Sequence, residues 1–213
     1  MKINSKKIYA GVIILFVLIV AFFGYFWYFS NHQLLMDELS SIPTTSSVAE
    51  TSLPMLPIYL QNDPRWKDDT MGHSEQTLGE AGCFVSSVSM ALAHYRIDLN
   101  PKQLNQLLNA NQGYTEQGWV KWKVVTKMTD GQIRFYVPNH PGFTEIDAAL
   151  TNQEPVLAKI RLYGLFTHWV LIVGKDGQEY LVKDPLGDGK SLDKLSQFKS
   201  KVYAIRVIKK NRK

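Results

Sequence analysis

Apolar positions in this chain fall into four successive patterns. From Ile8 to Phe29 they run for 22 residues without a charge or a proline, which at about 1.5 Å per residue covers the roughly 30 Å hydrocarbon core of a bilayer. From Ser40 to Pro54 they thin out, because ten of fifteen residues are Ser, Thr or Pro, a composition that keeps the backbone solvated or extended. Between Cys83 and Leu150 they recur at helical spacing, and from Pro155 onward they form short β-rich runs separated by turn residues.

The helical stretch resolves into four elements. Phe84, Val88, Ala91, Leu92 and Tyr95 predict a helix beginning at Cys83. Asn100-Pro101 supplies a cap and first turn for a second, with Leu104, Leu107 and Leu108 on one face. Trp119 to Met128 reads as a third, although Val124 and Val125 favour a strand. Thr144 caps a fourth bearing Ile146, Ala149 and Leu150. A short strand is expected over Ile133 to Val137, and others over Val156–Leu162, Trp169–Val173, Tyr180–Val182 and Val202–Ile208. Helices first and an antiparallel sheet second predict an α+β domain with the cysteine helix packed against the sheet.

The first two patterns set the domain organisation. The apolar run closes on Phe26-Trp27-Tyr28-Phe29 rather than on small residues, so it reads as an uncleaved signal anchor and not as a cleavable peptide. Lys2, Lys6 and Lys7 precede it, and Arg65 is the first Lys or Arg after it. That asymmetry puts the N-terminus in the cytoplasm and everything after residue 30 outside, with Tyr25, Trp27 and Tyr28 at the outer interface. The expected organisation is a cytoplasmic 1–7, a single-pass transmembrane helix over 8–29, a stalk over 30–56, a folded domain over 57–208 and a basic tail over 209–213. A bacterial cell membrane fits this form.

The net charge of +5 does not point to nucleic acid. Three lysines precede residue 30 and four basic groups lie in Lys209-Lys210-Asn211-Arg212-Lys213, leaving 17 basic groups against 19 acidic ones between. The excess is confined to the ends. The tail suits weak contact with anionic lipid headgroups or an acidic wall polymer, or plain solvation at a frayed terminus.

Cys83 is the only cysteine, which excludes an internal disulfide and the usual structural zinc patterns. It follows Gly79-Glu80-Ala81-Gly82, where glycines can make the sharp turn that presents a side chain at a helix N-terminus. Free N–H groups and the helix dipole there favour a thiolate; the plainer alternative is a small buried hydrophobe. His168 leads the run Trp169-Val170-Leu171-Ile172-Val173-Gly174 and can point into a cleft while the rest packs. A three-residue loop Lys175-Asp176-Gly177 would pair Gly174 with Gln178, so that opposed residue numbers sum to 352 and His168 faces Asp184. A two-residue Asp-Gly turn gives 353 and places Pro185 there instead.

An imidazole held by a carboxylate can take the thiol proton and later protonate a leaving group. Oxyanion donors are needed too, and the Cys83 backbone N–H with the side-chain amide of Gln61 are candidates, Gln61 otherwise being an ordinary loop glutamine. His32, His73, His94 and His140 lack ligand spacing, Trp119 and Trp122 suit core packing or a substrate groove, and no loop of alternating oxygen ligands surrounds Asp63 or Asp188. No metal or other cofactor is expected.

At these residues the sequence resembles the C39-like branch of the papain-like cysteine peptidases. The resemblance runs from Gln61 to about Pro185: a Gln-x-Asp-x-x-Trp opening, Gly82-Cys83 leading Ser86, Ser87 and Met90, a Pro155-Val156 strand, His168 with its apolar run to Gly174, and Asp184-Pro185. It implies a papain-like fold, with Gln61 in the oxyanion hole, Cys83 as nucleophile, His168 as base and Asp184 as the acid that orients it. Phe84 departs from the glycine that often follows the family's cysteine. The activity implied is hydrolysis of a peptide or amide through an acyl-enzyme. Acyl transfer on the same triad, and a non-catalytic surface binding module keeping the fold, are the competing readings.

Overall fold

The apolar runs after Pro155 form the two central strands of an antiparallel sheet in the computed structural model, which describes residues 19–21, 24, 51–53, 57–139 and 142–211. Most of the expected membrane span and stalk, the N-terminal 1–7 segment, His32, His140 and the last two residues of the tail lie outside the described residues. Among those described, no helix is long and apolar enough to cross a membrane.

In chain order the elements are β1 (Thr51–Ser52), α1 (Leu78–Ala81), α2 (Cys83–His94), α3 (Pro101–Ala110), α4 (Trp122–Met128), β2 (Ile133–Tyr136), α5 (Phe143–Thr151), β3 (Val156–Leu162), β4 (Phe166–Asp176), β5 (Glu179–Lys183), β6 (Asp193–Lys194), a 3-10 turn (Leu195–Phe198) and β7 (Ala204–Lys210). The sheet order is β2-β7-β3-β4-β5-β6. β1 pairs with β4 at Gly174 and Lys175, on the edge that β3 leaves free after its last pair, Val156 with Ile172.

Both faces of the central strands are buried, which is why they read as nearly continuous apolar runs. On one face Leu157, Leu171, Val173 and Ile208 pack with Val88 and Leu92 of α2, Leu104 and Leu108 of α3, and Val125 of α4. On the other, Val156, Ala158, Ile160, Val170, Ile172 and Val182 pack with Ile146, Ala149 and Leu150 of α5 and with Leu195. The expected α+β class therefore holds, with one refinement: α5 and the 3-10 turn cover the face opposite the cysteine helix.

Nine of the twelve residues of α2 are buried, so this helix forms the centre of its layer rather than its surface. The Asn100 cap is present as a capping box: Asn100 Oδ1 accepts from the Gln103 N–H at 3.0 Å and Gln103 Oε1 accepts from the Asn100 N–H at 3.0 Å.

Several boundaries differ from expectation, β4 running from Phe166 to Asp176 and β7 starting at Ala204 among them. α4 starts at Trp122, because a bridge between Tyr114 and Val120 holds the preceding segment and leaves Trp119 71% exposed. Thr144 lies inside α5, whose preceding residue is Gly142. Thr51 and Ser52, expected in the stalk, form a strand, and Leu53 beyond them is buried with its N–H donating to Val173 O at 2.8 Å. Lys209 and Lys210, expected in the tail, continue β7 opposite Arg134 and Ile133.

Gly82 joins α1 to α2 at φ −79° and ψ 9°, a conformation open to any residue. Glycine is needed there for space and not for a left-handed turn: a Cβ would collide with the Leu78 carbonyl oxygen and lie 2.8 Å from Leu78 Cα. Gly82→Ala should therefore destabilise the domain by about 1–3 kcal/mol. Chemical denaturation checks this, and unchanged stability would mean that the α1–α2 junction yields.

Candidate active site

Three segments far apart in sequence meet at the N-terminus of α2. The first is the turn carrying Gln61. The buried Trp66 indole N–H donates to Leu60 O at 2.8 Å, and the Asp63 carboxylate accepts from Arg65 N, Nε and Nη2, so the turn is pinned at both ends. Gln61 itself is buried. Its backbone N–H donates to Pro185 O at 2.9 Å and its Nε2 donates to Gly79 O at 2.8 Å. It thus ties the Asp184-Pro185 segment to the turn that leads into Cys83. The Gly79 carbonyl fixes the amide orientation and occupies one Nε2 hydrogen, leaving the second; Gln61 Oε1 is buried without a hydrogen-bond partner.

Cys83 is the first residue of α2 and is 8% exposed. Its thiol acts on the imidazole of His168, which is 2% exposed on β4 opposite Ile160. His168 Nε2 is 2.6 Å from Asp184 Oδ1, and the same oxygen accepts from Leu186 N–H at 2.9 Å. Nε2 is engaged by the carboxylate, so Nδ1 is the ring atom left to face the thiol.

The hairpin that brings His168 and Asp184 together differs from both registers expected. Its turn is Gly177-Gln178, with Asp176 opposite Glu179, Lys175 opposite Tyr180 and Gly174 opposite Leu181, a number sum of 355. The register shifts at Val173, after which Ile172 faces Val182 and Leu171 faces Lys183, a sum of 354. One step further, Asp184 falls opposite Val170, so His168 is its diagonal neighbour on the same face rather than its direct partner. The ladder ends at Lys183, and the acid, free of strand pairing, reaches the imidazole.

Burial opposes the charged form of His168. The hydrogen bond to Asp184, then the hydrogen bond and charge of Cys83, then the charge of Asp184, outweigh it and push the imidazole up to about 9. At neutral pH the arrangement therefore favours the imidazolium form of His168. Burial, followed by the charges of Asp184 and Asp188, also pushes the Asp193 carboxyl up, a sign that negative charge gathers around Asp184.

Phe84, the departure from the family pattern, packs edge-on to Trp169 at 5.1 Å and stacks near Phe135 at 6.5 Å. Its ring therefore joins an aromatic cluster that also holds Trp122, 6.3 Å from Phe135. Trp119 is not part of this cluster's ring contacts. Elsewhere, His94 Nε2 bonds Gln153 O at 2.8 Å, His73 is exposed, and the Asp188 carboxylate closes a local turn on Lys190 and Ser191. Among the described residues no group of three or more His, Cys, Asp or Glu could hold a metal ion. Arg206, over the Trp122 ring at 4.3 Å, was not among the candidates from sequence, because it sits in no motif and only strand register brings it here.

Residues 56–207 match the sequence model of the Peptidase C39 like family. A crystal structure of a protein described as a C39-like peptidase, from Bacillus anthracis, aligns with a TM-score of 0.49 at 15% identity, covering 78% of this chain and 100% of that one. No curated protein sequence matches.

The raised His168 value has a signed consequence. Its ordinary value is 6.5 and its folded value about 9, so its contribution to stability is whole below about pH 6.5 and is lost as pH rises through about 9. Asp184→Asn removes the partner that does most to hold the proton. Thermal unfolding between about pH 6 and 10 should therefore show a downward slope in the native protein that is shallower in Asp184→Asn. Parallel slopes would place the linkage on another group.

Proposed function

The chain belongs to the Peptidase C39 like family and is a cysteine peptidase-like hydrolase; on that premise we propose that it cleaves peptides or amides through a Cys83-His168-Asp184 triad, on a domain anchored outside the cell membrane by residues 8–29. The observation that carries the reading is the buried His168–Asp184 contact at 2.6 Å, with Cys83, which heads a twelve-residue helix, acting on the same imidazole.

In this reading His168 Nδ1 holds the proton taken from the thiol, and the Cys83 thiolate adds to the scissile carbonyl carbon. The oxyanion accepts from the Cys83 backbone N–H and the second hydrogen of Gln61 Nε2. The imidazolium then gives its proton to the leaving amine as the C–N bond breaks, and a thioester remains. Water, deprotonated by the now neutral imidazole, adds to the thioester; collapse expels the thiolate and releases the acid. Asp184 keeps Nε2 protonated and the ring aimed throughout. Gln61 depends on Gly79 O for its aim, so the segment preceding the nucleophile also sets the oxyanion donor.

The direct test is alkylation of Cys83 by iodoacetamide across pH. Fast labelling near pH 6 that is lost in His168→Ala marks an imidazole-activated thiolate, whereas labelling that rises only near pH 8.5 in both proteins marks an ordinary thiol and removes the catalytic reading. A membrane-impermeant thiol reagent should reach the same residue in intact cells. Peptide hydrolysis should fall by at least about a thousandfold in Cys83→Ala, and residual activity near the native level would end the proposal.

Gln61→Ala should lower kcat about 10²- to 10³-fold with little change in KM, since it removes a donor used chiefly by the oxyanion. Steady-state kinetics on a cleaved peptide reads the split. A change in KM alone would instead assign Gln61 to ground-state binding.

A further inference from the structure

On the sheet face that carries α2, two cations occupy neighbouring positions with no acid to match them. Arg206 on β7 lies opposite Leu157, and Lys159 on β3 lies opposite Ala204 on one side and Trp169 on the other. Arg206 and Lys159 are thus diagonal neighbours on one face, a like-charge placement that is unfavourable when left alone. Among the described residues no carboxylate is within ion-pair distance of either, whereas Lys175 is paired with Asp147 and Lys209 with Glu154. Arg206 Nη1 donates only to its neighbour's carbonyl, Ile205 O, and its Nε is buried with no hydrogen-bond partner.

The surroundings of Arg206 suit an anion. Its guanidinium lies 4.3 Å over the Trp122 ring and 5.8 Å from the centre of the Trp169 ring. Stacking fixes the plane of the fork while leaving its outer edge for a bidentate partner. Phe84 and Phe135 extend the aromatic wall, and low local polarity strengthens any charge contact made there. This wall adjoins the α2 end of the site: Phe84, whose ring meets Trp169 at 5.1 Å, follows Cys83 in α2, and the Ser87 hydroxyl one turn on donates to Trp169 O at 3.2 Å.

We infer that Arg206 and Lys159, with Trp122 and Trp169 as walls, form a substrate subsite that takes a carboxylate of the peptide, either an acidic side chain or a free chain end. The inference rests on the peptidase reading above and adds the chemistry of what is cleaved: peptides that place a negative charge within a few residues of the scissile bond.

The test uses the full-length Cys83→Ser chain, which binds without turnover, and pairs of blocked tetrapeptides titrated by calorimetry. One series places Glu against Gln at each position; the other sets a free C-terminal carboxylate against its amide. At least one carboxylate peptide should bind about tenfold more tightly than its amide partner, with an advantage that shrinks as salt is raised. Arg206→Met should abolish the advantage and leave the affinity of the amide form unchanged. Lys159→Met should reduce it and serves as the second variant if Arg206→Met does not fold. Equal affinities within every pair, absence of binding by all peptides, or an equal loss for both forms in Arg206→Met would overturn the subsite, the last by assigning Arg206 to packing. Hydrolysis by the native chain separates the two ideas: Cys83-dependent cleavage without carboxylate preference removes the subsite and keeps the peptidase, and carboxylate preference without cleavage does the reverse.

Discussion

One extra residue in β4 decides which face of the sheet Asp184 occupies. The β4–β5 hairpin leaves its turn with paired numbers summing to 355, and in that register Asp184 would fall opposite Leu171, on the face filled by α2. The shift at Val173 changes the sum to 354 and moves Asp184 to the face of Val170, and so to that of His168. Side chains alternate with a period of two, so a single inserted residue inverts every position beyond it. The 2.6 Å contact between His168 and Asp184 depends on that inversion. So does the charge state of the imidazole, because Asp184 supplies the strongest of the interactions that hold its proton against burial.

The rest of the domain makes such a pair tolerable. A charged His–Asp contact buried to a few percent exposure costs several kcal/mol in desolvation per ion and is retained only where hydrogen bonds compensate. Here Asp184 Oδ1 also accepts from Leu186 N–H, and the segment behind it is fastened by Gln61 N–H to Pro185 O. Gln61 in turn holds Gly79, four residues before Cys83. Cys83, His168, Asp184 and Gln61 are thereby held together by contacts between three segments, each set against a buried element: Trp66 under the first turn, α2 as the centre of its layer, and β4 with both faces covered.

Elements with a strong local signature were legible in the sequence. β3 over Val156–Leu162 and α2 from Cys83 coincide with their expected starts, because one is a bounded apolar run and the other an amphipathic period behind a glycine. The hairpin shows where legibility stops. Neither expected register is present, since turn type and the shift at Val173 depend on how the strand meets its partners and not on its own residues. Pairing His168 with Asp184 nevertheless survived the error, because 352 and 354 are both even and a displacement by two keeps side chains on one face. The 353 alternative would have separated them. β1 was hidden for a related reason: Thr51 and Ser52 have a stalk's composition, and only the edge of β4 left open beyond Ile172 makes them a strand. Arg206 and Lys159 carry no local signal at all, being neighbours solely through the β3–β7 ladder.

That same open edge bears on how the site can be approached. β1 joins β4 at Gly174 and Lys175, six residues from His168 and so about 20 Å along the strand. The segment leading into the domain from its N-terminal side therefore meets the sheet at the end away from the imidazole, beside the buried Lys175–Asp147 pair. The opposite end of β4, by contrast, runs into the hairpin tip where Tyr163 is 89% and Leu165 76% exposed. Traction or anchorage applied through β1 would load the Gly174 end of the strand, and the ladder from Ile172 to Trp169 with β3 would stand between that load and His168. A site made from three hydrogen-bonded segments is sensitive to small displacements, and under the proposed anchorage through residues 8–29 any load would enter at the far end of β4 from the imidazole.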